Sequence, residues 1–300
     1  MTMQATLLPD RGVLRVSGDE ARAFLDRLVT SSIETLEPGA ARFCALLTPQ
    51  GKIIVDFIVT EAAADDGGGF YLDAPRALAP ELARRLTFYK LRAKVTIDDL
   101  SDRLGVVAVW GTDAKATEHG LCYADPRLPA LGLRAILPPE TVAEAAADLG
   151  AALAVDDEGY DAHRIALGIP RGGHDFIYGD VFPHETDMDQ LGGVDFTKGC
   201  FVGQEVVSRM EHRGTARSRI VPIRYADASP IPGLPVVAGE KNVGALGSTA
   251  KGRGLALLRL DRVADAMAQG TPISAGGIEI RLEKPDWARF RFPGEQDVNA

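Results

Sequence analysis

Apolar and β-branched residues fall in short runs of two kinds along this chain, and their spacing predicts a mixed order of strands and helices. Ile53 to Glu61 reads as a strand, Asp65 to Gly69 as a turn and Phe70 to Asp73 as the returning strand of a hairpin. Pro80 then opens ELARRLTFYKL, whose apolar positions recur at helical spacing. Val95 to Ile97, Leu104 to Trp110 and Leu131 to Leu137 read as further strands. Pro139 to Leu149 is alanine-rich and helical in pattern, as is Asp157 to Leu167, which Gly168 and Pro170 stop. Strands interleaved with helices, with at least one hairpin, point to an α+β fold rather than a regular doubly wound sheet.

After Gly214 the pattern changes. Short runs at Ile220 to Tyr225, Leu234 to Val237, Gly254 to Leu260 and Ile278 to Leu282 alternate with turns such as SPIPGLP and SAGG. That spacing fits a small β-barrel or sandwich. The expected organisation is therefore residues 1–215 as one region and residues 216–300 as a β-barrel domain, with no repeat or low-complexity linker.

Composition narrows the function classes. The chain has 300 residues, 46% hydrophobic and 25% charged, values of an ordinary folded chain with a sizeable core. No basic-then-apolar leader opens it, and no stretch reaches the roughly 18 apolar residues of a membrane helix. The expectation is a cytoplasmic protein with no membrane partner. A net charge of −9 argues against nucleic acid. Locally, Arg209, Arg213, Arg217 and Arg219 stand against Glu211 alone, a surplus that suits a small anion or simply a solvated helix face. The three cysteines, Cys44, Cys122 and Cys200, form no CxxC pair, and the five histidines are scattered, so neither a disulfide framework nor a metal site is expected.

The chemistry concentrates in Lys198 to Glu205, KGCFVGQE. In an extended segment Lys198 and Cys200 would share a face, where an ammonium favours the thiolate. Gly199 and Gly203 allow positive φ or close approach to a ligand, and a helix-like run follows Gly203. Glu205 and Arg209 are spaced i, i+4, so Glu205 either supports its own helix or is free to bind a ligand.

With FPHETDMDQLGGVDF before it and VVSRMEHRGTARSR after it, the motif resembles the signature of the YgfZ family. That family is related to the glycine-cleavage T-protein, an aminomethyltransferase, and is implicated in iron–sulfur cluster assembly. The similarity extends to FLDRLVTSSIETLEPGAARFCALLTPQGKIIVDFIV, FYKLRAKVTIDD and HRIALGIPRG, roughly the first 220 residues. It implies an aminomethyltransferase-like folate-binding fold, two interlocked α+β subdomains with a C-terminal β-barrel around a folate site. It also implies tetrahydrofolate or a derivative as ligand, and iron–sulfur assembly or client proteins as partners.

On that resemblance Glu205 accepts the pterin N–H pair, since a carboxylate can take two parallel hydrogen bonds. Gln204, Gly199 and Gly203 join it in binding, and Arg213 or Arg217 meets the anionic tail. Cys200 with Lys198 is the functional pair, while Cys44 and Cys122 are structural. Tyr160, Arg164 and His184 lie in family-like segments where packing or capping roles are at least as good a reading. The T-protein carries adjacent aspartates where Val55 and Asp56 stand here, so one carboxylate is missing. The leading expectation is a folate-binding accessory factor for assembling or repairing iron–sulfur clusters. The alternative is a one-carbon (aminomethyl) transferase with Asp56 as catalytic carboxylate, and whether the chain is an enzyme stays open. A third is a non-catalytic folate-binding module in which Cys200 is incidental.

Overall fold

The computed structural model describes residues 3–111, 116–214, 216–226 and 228–294. In chain order the elements are β1 (Gln4–Leu7), β2 (Arg11–Ser17), α1 (Ala21–Asp26), β3 (Ala41–Leu47), β4 (Ile53–Glu61), β5 (Phe70–Pro75), α2 (Ala79–Lys90), β6 (Thr96–Asp99), β7 (Gly105–Trp110), β8 (Leu121–Ala124), β9 (Leu133–Leu137), α3 (Val142–Leu149), β10 (Ala152–Leu153), α4 (Glu158–Leu167), α5 (Gln204–Arg213), β11 (Ser218–Arg224), β12 (Pro235–Ala238), β13 (Lys241–Ala250), β14 (Arg253–Arg259), α6 (Leu260–Ala268), β15 (Ile273–Ala275), β16 (Ile278–Glu279) and β17 (Arg281–Leu282). They group into two compact units. One is the chain up to Tyr160 with Leu191–Gln204, and the other is Asp161–Gln190 with Glu205 onward. The units are interlocked in sequence, because the chain leaves the first, returns to it for fourteen residues and leaves again.

The first unit holds two five-stranded sheets, ordered β3-β4-β5-β2-β6 and β10-β1-β7-β9-β8. Side chains alternate faces along a strand, so β4 sends Val55, Phe57 and Val59 into one core while Asp56 and Ile58 face the other way. That core also takes Leu14 and Leu72, Phe24 and Leu25 from α1, and Leu82 and Leu86 from α2. On the other sheet, Val107, Val109, Ala135 and Leu137 pack against Ala145, Ala146 and Leu149 of α3. Pro80 sits in the first turn of α2, where its missing N–H costs no helical bond.

A buried charge network links the two sheets. Asp73 on β5 is fully buried and accepts from Arg11 Nε at 2.6 Å, Arg134 at 2.5 Å and the Tyr123 hydroxyl at 3.1 Å. Arg134 also donates to Asp125, which Arg127 holds in a fork at 2.7 and 2.9 Å. Burial pushes the Asp73 and Asp125 carboxyls up, but their arginine partners outweigh it and hold both below the ordinary carboxylate range.

In the second unit β11 to β17 form one antiparallel seven-stranded sheet, ordered β16-β15-β12-β13-β14-β11-β17. α6 contributes Val263 and Ala266 to the core under it. Arg164, in the last turn of α4, is buried, with hydrogen bonds to Asp161, Asp175 and Ser248 that tie α4 to β13.

Candidate functional site

The KGCFVGQE segment is an irregular loop followed by α5, not an extended strand, and this reverses one expectation. Asp195 Oδ1 accepts from the Thr197 N–H and hydroxyl at 2.8 and 2.7 Å and from the Lys198 N–H at 3.2 Å, closing a tight turn. That turn directs Lys198 inward. Its ammonium donates to the backbone carbonyls of Asp26, Val29 and Ser31 at 2.5, 2.8 and 3.0 Å, with the Asp26 carboxylate 3.6 Å away. The Phe201 ring lies 5.6 Å from Nζ, and the side chain is 2% exposed.

Burial lowers the Lys198 pKa, opposed by Asp26 and Cys44. The thiol that senses this ammonium is therefore Cys44, which is buried on β3 and whose pKa burial pushes up to about 12. Cys200 is exposed. The expected shared face of Lys198 and Cys200 is thus replaced by a division of labour, in which the lysine anchors and the cysteine is presented.

The 26–31 segment is strapped to the same loop by further bonds. Thr30 Oγ1 donates to the Gly193 carbonyl and accepts from the Ala45 N–H, Ser31 Oγ donates to the Gly192 carbonyl, and the Asp195 N–H donates to the Thr30 carbonyl. Gly203 has φ +82°, and a Cβ there would lie 2.6 Å from the Thr48 carbonyl oxygen. Glycine is required at that position by the turn itself. Gly199 has neither constraint, since φ is not positive and a Cβ would meet nothing within 4 Å.

The remaining predicted residues are spread out. Gln204 opens α5 and is half-buried, and Glu205 is exposed and paired with Arg209 at 2.5 Å, as the i, i+4 spacing allows. Arg213 and Arg217 are exposed. Asp56 is not in the loop. It is 8% exposed on the inner face of β4 and acts on Arg11, whose pKa burial and Arg134 work to lower while Asp73 and, more weakly, Asp56 raise it. Val55, where the second carboxylate would be, is 1% exposed in the core on the opposite face.

Sequence reasoning missed the carbonyl cradle for Lys198, since main-chain acceptors leave no residue signature. It also missed the Asp73 network, whose partners lie 61 and 62 residues from it. The Asp195-x-Thr197 spacing was the one available signal for the turn.

Two family models match the chain, the GCVT N-terminal domain over residues 10–136 and the CAF17 C-terminal β-barrel domain over residues 217–290. Among solved structures, the glycine cleavage system aminomethyltransferase T of Bartonella henselae superposes with a TM-score of 0.74 at 16% identity, covering 97% of this chain and 88% of that one. The fold is accordingly aminomethyltransferase-like, α+β with a C-terminal β-barrel. Among curated proteins, three named iron–sulfur cluster assembly factor IBA57 or its homologue, mitochondrial, are similar. That of Mycosarcoma maydis is 35% identical over 75% of this chain and 58% of its own length. That of Pyricularia oryzae is 31% identical over 90% and 75%, and the human protein 28% identical over 93% and 84%. This chain thus spans somewhat over half of the first relative and about three quarters or more of the other two.

Their names overturn the cytoplasmic expectation. All three relatives are named as mitochondrial. Given identity of 31% with a relative of which it covers three quarters, the chain belongs to the IBA57 family of iron–sulfur cluster assembly factors.

Proposed function

We propose that this protein is a tetrahydrofolate-binding accessory factor in iron–sulfur cluster assembly or repair, of the YgfZ type, with Cys200 as the thiol that meets the cluster. The observation that carries the reading is an exposed cysteine on a loop whose neighbouring lysine is locked by three carbonyls. A soft thiolate is the usual protein ligand of iron–sulfur clusters, and a fixed loop presents it to a cluster or to a partner holding one. The partners are assembly or client proteins.

The residues of α5 fit a folate ligand. Glu205 is exposed, and its pair with Arg209 is of the surface kind that contributes little against water, so a pterin ring N–H and amine can take its oxygens. Gln204 adds an amide, and Arg213 and Arg217 are exposed cations for the anionic tail. The division into residues 1–215 for folate binding and 216–300 for the barrel belongs to the same proposal. Against aminomethyl transfer stands the buried valine beside Asp56, which removes one of two carboxylates available to organise proton transfer.

The test pairs two variants in a strain lacking the native gene. Cys200→Ser should fail to restore iron–sulfur enzyme activities while binding tetrahydrofolate like the parent in calorimetry. Glu205→Ala should weaken that binding by roughly ten- to hundredfold, as loss of a charged hydrogen-bond partner implies. Full complementation by Cys200→Ser would refute the thiol's role, and unchanged affinity in Glu205→Ala would remove that residue from the folate site.

A further inference from the structure

In the second unit a cluster of chemically active side chains forms around the turn that precedes the Cys200 loop in sequence. Pro183–Thr186 make one short 3-10 turn, fixed at its start by the Phe182 N–H donating to the Glu185 carboxylate at 2.9 Å. The turn buries His184 to 1% exposure, and its Nε2 lies 3.0 Å from Oε2 of Glu211, in the last turn of α5. Asp189 completes the group. Ligand atoms of His184, Asp189 and Glu211 all lie within 4.8 Å of one another.

We propose that His184, Asp189 and Glu211 form a binding site for a divalent first-row transition-metal ion, zinc or iron(II) by chemistry. Ligands on one such ion at about 2.1 Å stand roughly 3–4 Å apart, so the present spacing needs only a small rotation of the half-exposed Glu211 side chain. An imidazole with two carboxylates suits these ions better than calcium or magnesium, which take oxygen ligands alone. Arg219 grips both oxygens of Asp189, at 2.5 and 2.9 Å. The Gln190 amide also donates to Asp189 Oδ2 at 2.7 Å, so of a carboxylate's roughly four lone-pair sites one, on Oδ1, remains for a metal.

A second observation points to a ligand here. Asp187 is fully buried, its Oδ1 lies 3.3 Å from the same Arg219 nitrogen that Asp189 Oδ1 uses, and its Oδ2 has no hydrogen-bond partner among the described residues. A buried carboxylate oxygen without a donor is costly. Within the cluster, Asp189 and Glu211 supply two carboxylates against the one guanidinium of Arg219, and a divalent ion with a bound water would offset that charge and give Asp187 Oδ2 a hydrogen-bond partner. The scatter of the histidines along the sequence gave no sign of this group, because His184 and Glu211 are 27 positions apart.

The site is independent of the folate and thiol reading, so its failure would leave Cys200 and Glu205 untouched. The test is titration of cobalt(II), read by its visible d–d bands, and of zinc, read by calorimetry, into the untagged, chelator-treated full chain. One equivalent should bind, and Glu211→Gln should weaken it at least tenfold with an unchanged far-ultraviolet spectrum. Glu118, His119 and Asp148 in the first unit form a competing group. His119→Gln should leave the stoichiometry and affinity intact. Equal binding by the parent and Glu211→Gln, no binding by the parent, or loss of binding in His119→Gln instead would each overturn the assignment.

Discussion

Replacing Lys198 by methionine keeps the length and apolar stem of the side chain and removes its charge and three donors. The perturbation leaves the carbonyls of Asp26, Val29 and Ser31 without their donor and the Asp26 carboxylate without its cation. Charge-assisted hydrogen bonds are worth about 1.5–3 kcal/mol each, and stranded buried acceptors cost a further 1–3 kcal/mol. Against this stands the relief of an ammonium whose burial already lowers its pKa. Breaking a buried charged contact from one side generally nets about 3–5 kcal/mol, a large part of a typical folding free energy of about 5–15 kcal/mol. Urea unfolding read by tryptophan fluorescence measures it. The chain has two tryptophans, and in a Trp287→Phe background Trp110, buried on β7, reports on the first unit alone. With a slope of about 2–3 kcal/mol/M the midpoint should fall by roughly 1–2 M. A shift below about 0.3 M would refute the anchor and return Lys198 to a role in the chemistry of its neighbours.

Three further outcomes follow from the same geometry. Iodoacetamide at pH 8 should label Cys200 in the folded protein and reach Cys44, buried and with its pKa pushed up to about 12, only when urea is added; peptide mapping that finds both labelled at one rate would contradict the burial argument. Gly203→Ala should cost about 2 kcal/mol or more, from its φ of +82° and the 2.6 Å approach to the Thr48 carbonyl, and an alanine variant as stable as the parent in urea would show that the turn adapts. Asp73 and Asp125 are held below the ordinary aspartate value of 3.8, so their contribution is present above that pH and is lost as pH falls through their folded values. Urea midpoints taken from pH 7 to pH 3 should decline below about pH 4, and Asp73→Asn should give a lower midpoint at pH 7 with a shallower acid decline; an equally steep decline would exclude Asp73 as its source.

Where periodicity was strong, the chain could be read from its residues. Ile53–Glu61 is a strand over the length its β-branched run suggests, the helix after Pro80 ends at Lys90, and α4 stops before Gly168. Shorter or weaker patterns escaped. Arg11–Ser17 has only short apolar runs broken by Arg15, Lys241–Ala250 carries two glycines among polar residues, and α6 follows β14 with no cap residue between them. The loop chemistry was legible as composition and not as geometry. Lysine and cysteine two apart would share a face only in a strand, and the Asp195 turn turned Lys198 toward backbone atoms that no residue pattern announces. Asp56 and Val55 were legible as a departure and, being adjacent in a strand, as facing opposite sides, yet which side holds the Val55 core needed the packing of the helices on that sheet.

The lysine cradle also has a bearing on how the protein is made. The carbonyls that Lys198 closes belong to the end of α1 and the turn after it, and the partners of its shortest bond are separated by 172 positions. At a synthesis rate of about 5–20 residues per second, those carbonyls wait roughly 10–35 s for their donor after they leave the ribosome. During that interval the 26–31 turn is open, and all of Asp161–Gln190, which belongs to the other unit, has emerged before the strap returns. The first unit is therefore the earlier to begin and, with its last residue at Gln204, the earlier to be complete, but its completion has to wait until Asp161–Gln190 of the other unit has been made.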